Sequence, residues 1–172
     1  MTNTTELYFL IHNEETSVKD VLASLVEHEN DTDWSAKTTH FAISHIKEFE
    51  KKYYDCVRGF LPKEFFLDII LPFHGHMKDF ETGILLFPDN ISVKNALEYC
   101  KKPNLKYTKE CADMILFLKD QIKNNRFTSE VTIESVDGKL RHIDGLHRMI
   151  ALGLLLEEGY EYKPIPVYVL KR

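Results

Sequence analysis

The sequence predicts an α+β fold, on three observations. Apolar residues recur at helical spacing in several segments, an Asp-Gly pair separates two alternating runs near residue 137, and a branched-residue strand closes the sequence. At 172 residues, 44% of them hydrophobic and 28% charged, the chain has the size of one compact domain or a domain with an appendage.

Each element follows from its local pattern. Residues 7–12 read as a strand entering a turn at Asn13, Glu14 and Glu15. Ser17 caps a helix with Asp20 three residues on, and Val18, Val21, Leu22, Leu25 and Val26 share its apolar face to about His28. After a polar break at residues 30–33, an amphipathic helix is predicted from Ser35 to near Gly59, carrying Phe41, Ile46, Phe49, Tyr53 and Val57. Pro62 opens another helix, residues 63–71, which Pro72 stops. Residues 83–87 read as a short buried strand, and residues 92–100 as a helix. Thr108 caps a further helix through Lys123, with Cys111, Met114, Ile115, Leu118 and Ile122 on one face. Residues 130–136 and 139–143 form a hairpin around Asp137-Gly138, the pair that two-residue turns prefer. Residues 146–158 are a helix closed by Gly159, and residues 165–170 a final strand.

Composition excludes several classes of function. Twenty-seven acidic against 22 basic residues give a net charge of -5, which opposes non-specific attraction to nucleic-acid phosphates. No apolar run approaches the roughly 20 residues of a spanning helix, and residues 1–6 lack the pattern of a secretory signal, so no membrane partner is expected. Cys56, Cys100 and Cys111 share no metal-binding spacing and read as buried free thiols of a reducing cytoplasm.

The most informative stretch places Asp144, Gly145, Leu146, His147 and Arg148 where a strand turns into a helix. First-turn amides lack intrahelical acceptors and sit at the positive end of the helix dipole, so such a turn is an anion site. Gly145 lets an anion approach the backbone, and Arg148 offers a planar cationic fork for phosphate oxygens. His147 can add a donor or a proton, and Asp144 can orient a hydroxyl or hold a divalent ion bridging phosphates. The plainer alternative is a turn and cap, with Arg148 on a solvated helix face.

These five residues, with Ala151 following, resemble the phosphate-binding motif of the ParB and sulfiredoxin superfamily. The order of helix, hairpin, motif helix and strand over residues 107–172 is similar as well. The resemblance implies a ParB/sulfiredoxin-like core over residues 104–172, joined to a mainly helical N-terminal portion, residues 1–103, in one compact unit. Sulfiredoxins carry a catalytic cysteine where this chain has Leu146, so sulfinic acid reduction is not expected. ParB partition proteins bind CTP through a more arginine-rich version and continue into a helix-turn-helix domain, so a partition role is not expected either.

The chain most resembles the small-molecule kinases of the superfamily, the free-serine kinases, whose Asp-Gly-His-His-Arg motif differs only by histidine at Leu146. That resemblance implies an ATP-dependent kinase, using ATP or another nucleoside triphosphate with Mg2+, acting on a small hydroxyl-bearing metabolite such as an amino acid or sugar. It implies nucleotide contacts at Gly145, Leu146, His147 and Arg148, a magnesium contact at Asp144, and proton removal by Glu110 or Asp144. Glu110 is equally an ordinary first-turn acidic residue favoured by its helix dipole. Two other classes remain open: a non-catalytic nucleotide-sensing or protein-interaction module, and a nuclease-like or DNA-modification accessory protein.

The remaining histidines are dispersed. His74 and His76, with Glu81, have the spacing of a two-histidine, one-carboxylate metal site on a strand, but a polar turn that lines a pocket is the preferred reading. His142 shares a strand face with Asp144 and either approaches the site or packs across strands. His40 and His45 lie five apart on a helix and are assigned surface or packing roles.

Overall fold

A computed structural model describes residues 10–31, 33–71, 90–101, 109–124 and 129–172. In chain order its elements are β1 (Ile11–Glu15), α1 (Val18–Asp31), α2 (Asp33–Phe49), β2 (Asp55–Leu61), α3 (Lys63–Phe66), β3 (Ile70–Leu71), β4 (Ile91–Ser92), α4 (Val93–Cys100), α5 (Lys109–Lys123), β5 (Val131–Val136), β6 (Lys139–Asp144), α6 (Leu146–Glu157) and β7 (Ile165–Lys171). Among the described residues, seven strands form one mixed sheet in the order β1-β2-β7-β5-β6-β3-β4. Its β5/β7 and β3/β6 pairs are parallel, and the other neighbours are antiparallel. The architecture is therefore mixed α/β.

Local chemistry decides several of these elements. Ser17 and Asp20 cap α1 reciprocally: the Asp20 amide donates to Ser17 Oγ at 3.2 Å, and the Ser17 amide donates to Asp20 Oδ2 at 3.1 Å. Ser92 Oγ accepts from the Asn95 amide at the start of α4. Asp137 and Gly138 both have positive φ, 50° and 74°, as the predicted two-residue hairpin turn requires. The order predicted for the C-terminal part is present as α5, the β5–β6 hairpin, α6 and β7.

Alternation along β7 separates two cores. Val167 and Val169 join the apolar cluster that α4, α5 and α6 cover, whereas Tyr168 and Leu170 join the cluster formed with Val21 and Leu25 of α1 and Ala42, Ile43 and Ile46 of α2. Helices thus lie on both faces of the sheet.

Among the described residues the N-terminal portion is mainly helical, but it is not an appendage to the sheet. It supplies β1 to β4, and the sheet joins it to the C-terminal part through β2 against β7 and β3 against β6. The largest departure falls at residues 53–61, predicted as the end of a helix. α2 stops at Phe49, a 3₁₀ turn spans Glu50–Lys52, and β2 pairs along its whole length with β7, from Asp55 opposite Lys171 to Leu61 opposite Ile165. Val57, Gly59 and Leu61 are all buried, a period of two that pairing with a central strand rewards over helical propensity. A Cβ at Gly59 would stand 3.1 Å from Leu10 Cβ, so the glycine admits the chain entering β1.

Two smaller departures have the same cause. β1 begins at Ile11 and includes the predicted turn at Asn13, Glu14 and Glu15, all exposed on an edge strand whose register shifts between Ile11 and Glu14. The helix predicted over residues 63–71 is one turn, α3, after which Ile70 pairs with both β4 and β6. Phe66, Ile69 and Leu71 are fully buried, and strand capture of Ile70 and Leu71 places them there. The strand predicted at residues 83–87 and the cap at Thr108 lie outside the described residues.

Candidate functional site

β6 ends in the core and α6 begins there, so the motif forms at a buried corner. Asp144 is opposite Thr132 of β5, and Gly145 caps α6 with φ 97° and ψ 21°. Only glycine takes that conformation without strain. The Gly145 carbonyl accepts the Met149 amide at 3.0 Å, closing the first turn. A Cβ on Gly145 would stand 3.0 Å from Val131 Cγ2 and 3.1 Å from Arg148 Nη2. The glycine therefore answers two needs, a left-handed φ and the close approach of a guanidinium.

Arg148 does not lie on a solvated helix face. It is 7% exposed, and its side chain turns back under the motif. Nη2 donates to Asp144 Oδ2 at 2.9 Å, while Nη1 donates to the Ser129 carbonyl at 2.8 Å and to Ser129 Oγ at 2.6 Å. The arginine thus ties the end of β6 to the residue entering β5. Burial lowers the affinity of Arg148 for its proton, and the Asp144 carboxylate opposes that shift. Leu146 and His147 are also buried.

These contiguous residues are the predicted site residues that the structure brings together. Glu110 falls in the first turn of α5, which packs on α6, but its side chain lies outside the described residues. His74, His76 and Glu81 lie outside them entirely. His142 is opposite Ile133 on β6 and borders a separate cavity on the sheet.

That cavity adjoins a polar cluster which sequence reasoning missed. Glu134 is 3% exposed in the middle of β5. Arg172 grips its carboxylate with two bonds, Nε to Oε2 at 2.8 Å and Nη2 to Oε1 at 3.0 Å. Tyr53 donates its hydroxyl to Oε2 at 3.0 Å, and His45 Nε2 lies 3.3 Å from the same oxygen. His45, assigned a surface or packing role, is therefore part of a charged network. Burial acts to raise the Glu134 pKa, but hydrogen bonds from His45, Arg172 and Tyr53 outweigh it and hold the group at about 2. A signal was present in the sequence: Glu134 alternates with Ile133 in a strand that the hairpin places inside the sheet. Nearby, burial first and the charges of Asp55 and Asp20 second push the Cys56 thiol up to about 12, which suits a packing role.

Metal chemistry has limited support from the donor set. Among the described residues no group of three or more His, Cys, Asp or Glu side chains could hold a metal ion. Asp144 commits Oδ2 to Arg148 and has no hydrogen bond to Oδ1 among the described residues. One carboxylate oxygen fits a magnesium ion held mainly by substrate phosphates, and does not fit a protein-built metal cage.

No family model, curated protein or solved structure matches the chain. Among the described residues no helix is long and apolar enough to cross a membrane.

Proposed function

We propose that the chain binds the phosphates of a nucleoside triphosphate at the Gly145 turn and acts as an ATP-dependent kinase of a small hydroxyl-bearing metabolite, an amino acid or sugar. The observation that carries this reading is the corner itself: a left-handed glycine opens α6, and a buried arginine is fixed within 3.1 Å of where its Cβ would be. The start of the twelve-residue α6 supplies amides and a positive dipole end. In a protein of net charge -5, such a site has to be built locally.

Phosphoryl transfer asks for positioning and charge stabilisation above all. The backbone of Gly145, Leu146 and His147 would hold the phosphates, and His147 would donate to a phosphate oxygen. Arg148 would brace the turn through Ser129 and Asp144 rather than touch the ligand. Asp144 would help to hold a magnesium ion, which would supply charge neutralisation when bound. Asp144 or Glu110 would take the acceptor proton as the acceptor oxygen bonds to the γ-phosphorus and the bond to the leaving nucleoside diphosphate breaks.

The Asp144–Arg148 pair favours a second reading, a non-catalytic nucleotide-sensing or interaction module, because the carboxylate offered as base is held in an ion pair. Purified protein with ATP, Mg2+ and a panel of hydroxyl metabolites separates the two. ATP consumption stimulated by one metabolite and abolished in Asp144→Asn, with folding checked by circular dichroism, supports the kinase. Saturable nucleotide binding without turnover across the panel supports the module. Salt-sensitive DNA binding without nucleotide binding would overturn both.

A further inference from the structure

On the face of the sheet covered by α2 lies an open cavity of about 370 Å³, within the usual range for small-molecule sites. Its wall combines Phe41 and His45 of α2, Ile70 of β3, Arg141 of β6, Glu134 of β5 and Arg172. The charges on this wall do not balance. Glu134 and Arg141 stand directly opposite each other across the β5–β6 ladder, the register in which a cross-strand ion pair is expected. Both Glu134 oxygens are instead taken by Arg172, with Tyr53 and His45 adding to Oε2. Arg141 has no ion-pair partner among the described residues. Two guanidinium groups and one carboxylate leave one positive charge in excess in a protein that is acidic as a whole.

The rest of the wall carries the uncharged polar side chain of Asn90 and the His142 ring beside an apolar shelf. Phe41 is 76% exposed, an unusual position for a large aromatic ring, and it borders the cavity together with Ile70 and Ile143. A cationic fork beside an apolar shelf suits an amphiphilic anion. A single excess charge matches a monoanion, whereas a phosphate near its dianionic state would leave a charge uncompensated.

We propose that this cavity binds a small organic monocarboxylate, its carboxylate paired with Arg141 and its apolar body against Phe41 and Ile70. The Glu134–Arg172 network forms the polar floor, holding Glu134 away from Arg141 so that the arginine faces the ligand. This site is independent of the Gly145 turn, and the proposal stands whether or not the chain binds nucleotides.

The test uses benzoate and its neutral isostere benzamide as probes of the full chain, read by amide chemical shifts in NMR. Saturable benzoate shifts are expected at residues 41–45, 139–143 and 172, with at least tenfold weaker binding of benzamide. Arg141→Gln, at an exposed position, is expected to weaken benzoate at least tenfold, with Arg141→Lys recovering part of the loss. The proposal is overturned if benzoate does not bind, if benzamide binds equally well, or if the shifts map elsewhere. Should Arg141→Gln fail to fold, the benzoate–benzamide comparison on the unaltered chain decides alone.

Discussion

Two arginine–carboxylate pairs have buried carboxylates on β6 and β5, and they are built in opposite ways. Arg148 reaches Asp144 four residues back, across the turn that starts α6. Glu134 gathers Arg172 from 38 residues away, Tyr53 from 81 and His45 from 89. The first pair needs only a strand end and one helical turn to form, whereas the second needs α2, β5 and the residue after β7 to be in place. A local pair fixes the shape of a backbone corner. The non-local one holds layers together, and it leaves Arg141 without its natural partner.

Breaking the local pair should have the largest effect. Arg148→Met leaves the Asp144 carboxylate buried without its cation and should cost about 3–5 kcal/mol in urea unfolding. Asp144→Leu combined with Arg148→Met should recover most of that loss, since burying neither charge is cheaper than burying one. A single-variant loss below about 1 kcal/mol would mean that water reaches the corner and that the pair is not what shapes it.

The non-local cluster should show itself in the pH dependence. The folded Glu134 carboxyl titrates at about 2 against an ordinary 4.5, so its contribution is complete above 4.5 and is lost as pH falls towards 2. Glu134→Gln should remove on the order of 2–3 kcal/mol at neutral pH and flatten the stability profile between pH 4.5 and 2. If the acid limb of the profile is the same in the variant, the cluster does not control acid unfolding.

The corner itself can be probed without touching charge. Gly145→Ala meets both a positive φ and atoms at 3.0 and 3.1 Å, and should cost about 1–3 kcal/mol by thermal unfolding. It should also displace the Arg148 guanidinium, which the resonances of residues 129–131 would report. An unchanged stability would show that the corner relaxes freely.

The smallest effect belongs to an exposed pair used as reference. Arg58 Nε donates to Glu130 at 2.8 Å with the arginine side chain 48% exposed. Arg58→Ala should change stability by no more than about 1 kcal/mol, less at high salt. A larger loss would place Arg58 among the groups that hold the sheet together and would narrow the contrast with the buried pairs.

Much of the C-terminal half was legible in the sequence because its signals are short-range. The Asp137-Gly138 turn, the helical period of α5, the glycine opening α6 and the branched residues of β7 each state their conformation within a few residues. The contiguous motif was visible for the same reason. Residues 53–61 carried an equally plausible helical period, and only the presence of β7 as a pairing partner turned them into a strand. His45 and Arg172 could not be joined to Glu134 from spacing, since nothing local relates positions so far apart.

By itself, then, the sequence determined the Asp137-Gly138 turn, the Ser17 cap and the corner at Gly145, because backbone sterics and first-turn hydrogen bonding act over three or four residues. Tertiary structure alone decided that the N-terminal portion enters the sheet, that Arg148 faces inward, and that Glu134 is claimed by Arg172 and not by Arg141. Strand pairing and burial of charge depend on which chain segments meet, and that is a property of the assembled layers.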